Sequence, residues 1–95
     1  MARVRLFRDD NYEGGEIVRT DSDPNLHPEG FGDVVSSVIV TDGTFTLFQH
    51  ADYKGFSVTV SRVGGPASNG RYPNPSSLGG RNDVVSSIRK NSDQP

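Results

Sequence analysis

The sequence predicts an all-β protein, a β-sandwich, on three observations. Apolar and β-branched residues come in short runs bounded by glycine, proline, asparagine and aspartate, the pattern of strands joined by turns. No window of 11 residues places its apolar positions at a helical period. The chain also repeats itself. Leu6, Phe7, Asn11, Tyr12, Gly14 and Ile17 recur 41 positions later as Leu47, Phe48, Asp52, Tyr53, Gly55 and Val58, and the Asp-Val-Val-Ser-Ser that begins at Asp33 recurs 50 positions later at Asp83. A unit repeated at such a period packs against its copy because neither can cover its apolar face alone.

Residues 3–8 form the first expected strand, with Val4, Leu6 and Arg8 set against Arg3, Arg5 and Phe7 so that one face turns inward. Tyr12 and Gly14 then mark a corner, the glycine letting the chain fold back over the tyrosine ring before a strand at 16–20. A third strand is expected at 34–40. Thr41-Asp42-Gly43-Thr44 follows as a tight hairpin and as the seam between copies, its Asp-Gly pair supplying positive φ. Strands at 44–49 and 57–61, with a Tyr53/Gly55 corner between them, repeat the first pair, and Val58 and Val60 turn inward. Nine residues are inserted between Val58 and Asp83, in a stretch holding Gly64, Gly65, Pro66, Pro73, Pro75, Gly79 and Gly80, and they read as a loop. A strand at 84–89 completes the second copy. Phe31, Phe45 and Phe56 are expected as core or corner aromatics, and 91–95 as a polar tail that frays.

A chain of 95 residues fits a single domain, 1–95, whose core is shared by a first copy at about 1–41 and a second at about 42–90. Ten basic and 12 acidic residues are interspersed to a net charge of -2, with no basic stripe to neutralise phosphates, so nucleic acid is not expected as a partner. With no cysteine, disulfides and thiolate metal sites are excluded. The start of the chain lacks the apolar stretch of a signal peptide, and no run approaches the roughly 18 apolar residues of a membrane span. A soluble chain that does not insert into membranes is expected, its compartment left open with the cytoplasm favoured.

Phe7, Tyr12 and Gly14, and again Phe48, Tyr53 and Gly55, form an aromatic, a second aromatic five positions on and a glycine two beyond. With Asp23-Pro24-Asn25-Leu26 in the first copy, and Arg71-Tyr72-Pro73-Asn74-Pro75 and Leu78-Gly79-Gly80 in the second, the chain resembles the βγ-crystallin family over about residues 3 to 90. The resemblance implies two four-stranded Greek-key motifs packed as a sandwich about a pseudo-twofold axis. A tryptophan often precedes the Gly-Gly pair in that family. Leu78 stands there in this chain, which leaves a smaller core.

Asn82-Asp83-Val84-Val85-Ser86-Ser87 also resembles the six-residue calcium motif of microbial and invertebrate members: two Asn or Asp, two variable residues, Ser or Thr, then Ser. The first copy, Gly32-Asp33-Val34-Val35-Ser36-Ser37, departs only at Gly32. Carried over by position, the resemblance nominates Asn82 as the motif's first residue and the side chains of Asp33, Ser36, Asp83 and Ser86 as ligands. Carbonyls of Val34 and Val84 and of the loop residues Arg8 and Gln49 complete the set. Calcium, which takes six to eight oxygen ligands in flexible geometry, suits these donors. The family pattern implies two ions in sites shared reciprocally by the copies at one end of the sandwich. So few carboxylates imply an affinity of about micromolar or weaker. Without the ion, the same segments read as turns entering strands, with aspartates accepting backbone hydrogen bonds and serines facing solvent.

Other chemistries find little purchase. Asp21-Ser22-Asp23-Pro24-Asn25 begins like an EF-hand loop, but Leu26 occupies the glycine position and Gly32 the terminal glutamate position. His27 and His50 are the only histidines and have no zinc spacing. No serine sits in a Gly-x-Ser-x-Gly elbow, so no enzyme is expected. The sequence therefore points to a monomeric calcium-binding domain stabilised by its ion. Two alternatives stay open: a structural protein without calcium dependence, and a protein or glycan interaction module using the irregular stretch from Gly64 to Gly80.

Overall fold

The structure, a computed structural model, describes residues 2–26, 28, 30, 35–78 and 85–93. Among the described residues seven strands follow one another: β1 (Arg3–Asp9), β2 (Glu13–Arg19), β3 (Ser37–Asp42), β4 (Thr44–His50), β5 (Lys54–Ser61), β6 (Arg71–Tyr72) and β7 (Ser87–Ser92). They make two antiparallel sheets, ordered β2-β1-β3-β6 and β5-β4-β7. The expected all-β sandwich is the observed one.

Each sheet borrows from the other copy. β6, from the second copy, pairs with β3 of the first through Val38 with Tyr72 and Ile39 with Arg71. In return Asp23, from the first copy, exchanges backbone bonds with Ile88 of β7 at 2.7 and 2.9 Å. Asn11 N–H bonds the Pro73 carbonyl and Asp52 N–H the Pro24 carbonyl, both at 2.8 Å. This exchange is the physical content of the duplication: neither copy satisfies its own backbone edge.

Between the sheets Val4, Leu6, Leu26, Val38, Val40, Phe45, Leu47, Val60 and Ile88 are buried. The alternation read in residues 3–8 holds for Val4 and Leu6, whereas Phe7 on the opposite face is also covered, its ring edge-on to Tyr12 at 5.6 Å. Phe48 and Tyr53 repeat that contact at 5.7 Å. Phe45 is core and Phe56 half-buried, while Phe31 and His27 lie outside the described residues.

Three expectations need correction. Thr41-Asp42-Gly43-Thr44 is not a hairpin within a sheet, because β3 and β4 belong to different sheets and the turn carries the chain between them. Gly43 has the anticipated positive φ of 80°, and a Cβ there would come within 2.7 Å of the Ser92 carbonyl. The stretch after Val63 is more ordered than a plain loop: it contains β6 and a 3-10 turn at Pro75–Leu78. The third and last expected strands begin three residues late, at Ser37 and Ser87.

Candidate functional site

Each copy bends at a bulge and clamps the bend with a serine. The β1–β2 register shifts between Phe7 and Asp9, and the β4–β5 register between Phe48 and His50, so Arg8 and Gln49 are the extra residues. Beyond the bulges the backbone turns left-handed at Asn11 (φ 58°) and Tyr12 (φ 66°), and at Asp52 (φ 60°) and Tyr53 (φ 62°). Asn and Asp tolerate that region better than most residues, which explains their matched positions. Gly14 and Gly55 follow at φ 82° and 83°, a backbone conformation that a side chain would strain.

The corners are held by the last serine of each six-residue motif. Ser37 Oγ donates to the Asp9 carbonyl at 2.5 Å and accepts the Tyr12 N–H at 2.9 Å. Ser87 Oγ donates to the His50 carbonyl at 2.6 Å and accepts the Tyr53 N–H at 3.1 Å. Both serines are fully buried. The solvent-facing role considered for the serine pairs is thus wrong, and the clamp is a structural function that the motif reading missed. Its signal was the second serine, identical in both copies.

The preceding serines, Ser36 and Ser86, are the nominated ligands. Ser36 N–H bonds the Phe7 carbonyl at 2.9 Å and Ser86 N–H the Phe48 carbonyl at 2.8 Å. Each serine is therefore fixed to the residue just before its own bulge, and the structure brings Ser36 beside Arg8 and Ser86 beside Gln49. Val35 and Val85, one residue earlier in each motif, line one apolar dimple with Leu47, Phe48, Phe56, Val58 and Leu78. The described parts of the two motifs are thus brought to one place through Val35 and Val85. The dimple has room for about one water, at the place where Leu78 leaves the core small. Asp33, Val34, Asn82, Asp83 and Val84, with Gly32, lie outside the described residues.

The two halves differ in charge. The Arg8 guanidinium donates to the Gly30 carbonyl at 3.0 Å, whereas Gln49 Oε1 accepts the Phe56 N–H at 3.1 Å. Among the described residues no three His, Cys, Asp or Glu side chains gather where they could hold a metal. Among the described residues, the groups with shifted pKa include Glu16 and Tyr12. On the outer face of the first sheet, the Arg5 bond at 2.7 Å holds the Glu16 carboxyl below its ordinary value. The Tyr12 phenol is raised by burial, against the opposing pull of Arg71.

Comparison with known proteins agrees with this geometry. The Beta/Gamma crystallin family model matches residues 3–90. A Beta/gamma-crystallin of Ciona intestinalis is 38% identical over 90 residues, covering 95% of this chain and 99% of that protein. The solved structure of a beta gamma crystallin from Ciona intestinalis superposes with a TM-score of 0.83 at 34% identity, over 94% of this chain and 99% of that one. Human Beta-crystallin B2 is 28% identical over 93% of this chain, which spans only 40% of that protein's length. A betagamma-crystallin from an archaeon shares the fold, with a TM-score of 0.77 at 23% identity. Among the described residues no helix is long and apolar enough to cross a membrane.

Proposed function

The chain belongs to the βγ-crystallin family, and from that premise we propose that it is a non-enzymatic, monomeric domain that binds two calcium ions and is stabilised by them. The observation that carries this reading is the symmetric seating of Ser36 and Ser86. Each is buried, each is tied to the carbonyl before a bulge, and their neighbours Val35 and Val85 share one dimple. Reciprocal sites need that proximity. On this reading the oxygens of Arg8, Val34, Ser36 and Asp83 serve one ion, and those of Gln49, Val84, Ser86 and Asp33 the other, with Asn82 supporting its loop. At a calcium concentration 100 times the dissociation constant, one such site adds about 2.7 kcal/mol to stability.

Titration calorimetry of the metal-stripped chain tests the reading, beside a Ser36→Arg, Ser86→Arg variant and a milder Asp33→Asn, Asp83→Asn variant whose fold is checked by circular dichroism. Two binding events in the parent, lost or greatly weakened in folded variants, are expected. A flat parent titration would reject calcium and favour a purely structural domain, for which the apolar core closed by exchanged strands already suffices.

A further inference from the structure

We propose that Asn69 is a site of spontaneous backbone modification, held in check by the fold, whose conversion releases the strand that the first sheet takes from the second copy. Asn69-Gly70 is the only Asn-Gly pair in the chain. With no side chain on the following residue to obstruct attack, this dipeptide cyclises most readily. The Gly70 amide nitrogen loses its proton to solvent base and attacks Asn69 Cγ, forming a C–N bond and expelling the side-chain nitrogen as ammonia. Water then opens the five-membered imide at one of its two carbonyls, leaving aspartate or isoaspartate. No electron is transferred, and the net exchange is one water in and one ammonia out.

The structure presents the electrophile and restrains the nucleophile. Asn69 is exposed, and its Oδ1 accepts the Arg71 N–H at 3.2 Å, which polarises the carboxamide toward attack. Gly70 is buried; its N–H donates to the Gly64 carbonyl at 2.9 Å and its carbonyl accepts the Val40 N–H at 2.7 Å. Cyclisation must break the first of these bonds and rotate the peptide, so it waits on local opening of the turn from Gly64 to Gly70.

The product matters because Gly70 cannot shift. At φ +78° it is wedged where even a Cβ would strike the Val40 and Arg62 carbonyls. Isoaspartate lengthens the main chain by one carbon just before this residue, which displaces the Gly70–Val40 bond and the two-residue β6 beyond it. Aspartate keeps the normal chain length and leaves the register alone.

Peptide mapping with enzymatic isoaspartate methylation, on chain held at mildly alkaline pH with and without urea, tests the first part. Conversion at Asn69 is expected to be slower in the folded chain by about tenfold or more, the signature of reaction through an opened state. Equal rates would overturn the proposal. Hydrogen exchange then tests the consequence: the isoaspartyl form, purified and compared with Asn69→Asp, should lose protection at Tyr72 while Asn69→Asp keeps it. Retained protection in the isoaspartyl form would overturn the claim that β6 is released.

Discussion

Replacing Ser87 with alanine removes one oxygen from a fully buried position and, with it, both bonds that close the second corner. The loss can be built up from the parts. Two hydrogen bonds contribute about 1 kcal/mol each, and the stranded His50 carbonyl adds part of its desolvation cost, for a total of about 2–3 kcal/mol. In a domain of this length 1 kcal/mol moves Tm by about 5 °C, so a fall of about 10–15 °C is expected by calorimetry or near-UV circular dichroism. Ser37→Ala makes the same cut at the first corner and should cost a similar amount, because Ser37 holds Asp9 and Tyr12 in the same way. A fall below about 3 °C in both variants, well short of the loss of two buried bonds, would show that the corners hold without their serines.

Leu78→Ala should enlarge the dimple beneath the two motifs and destabilise by about 3 kcal/mol, read from denaturant unfolding with the slope unchanged. Glu16 gives an acid-side prediction. Its folded pKa is lowered, chiefly by the hydrogen bond from Arg5, so its contribution is complete above the unfolded value of 4.5 and disappears as pH falls through the lower folded value. Glu16→Gln should therefore lower stability slightly on the neutral side, leave the acid end nearly unchanged, and so flatten part of the stability loss below about pH 4.5, in melts taken across pH. Calcium at 100 times its dissociation constant should slow unfolding by up to about a hundredfold per site and leave the folding rate nearly unchanged, as read from the two arms of a chevron plot.

The duplication made the architecture legible because two matched sets of residues imply two matched sets of contacts. Phe7 with Tyr12 and Phe48 with Tyr53 are contacts of nearly equal geometry, as their equal spacing suggested. What the sequence concealed was long-range pairing. β6 has two residues next to Pro73, too few for alternation to show, and it exists only because β3 offers it an edge. The Asp-Gly seam shows the same limit: it carries a true local signal, the positive φ at Gly43, yet the sheets that its flanking strands join depend on distant partners. In the candidate site, position in the motif foretold that Ser36 and Ser86 would be equivalent. It nominated those two as ligands and gave no role to Ser37 and Ser87, whose clamping appears only in the structure, since chemically identical side chains are told apart only by what they face.

The strand exchange also explains why an ion at this end would stabilise without reshaping the protein. Leu26 N–H bonds the Ser86 carbonyl beside the second sheet, whereas Ser36 N–H bonds Phe7 in the first, so the chain between them passes from one sheet to the other. The second copy passes back: Tyr72 pairs within the first sheet and Ser86 N–H bonds Phe48 in the second. The described ends of the two motifs, residues 35–37 and 85–87, stand where these crossings enter β3 and β7. On the proposed reading, an ion taking oxygens from both would tie together segments 50 positions apart in sequence, whose described residues Val35 and Val85 come to one dimple only once both sheets have formed. Loop-closure entropy is then already paid by the strands, and the ion binds a geometry that folding has produced. For the same reason its free energy should appear in the unfolding barrier. On the proposed reading, a shared site between two crossings would lock the sheets together while changing neither.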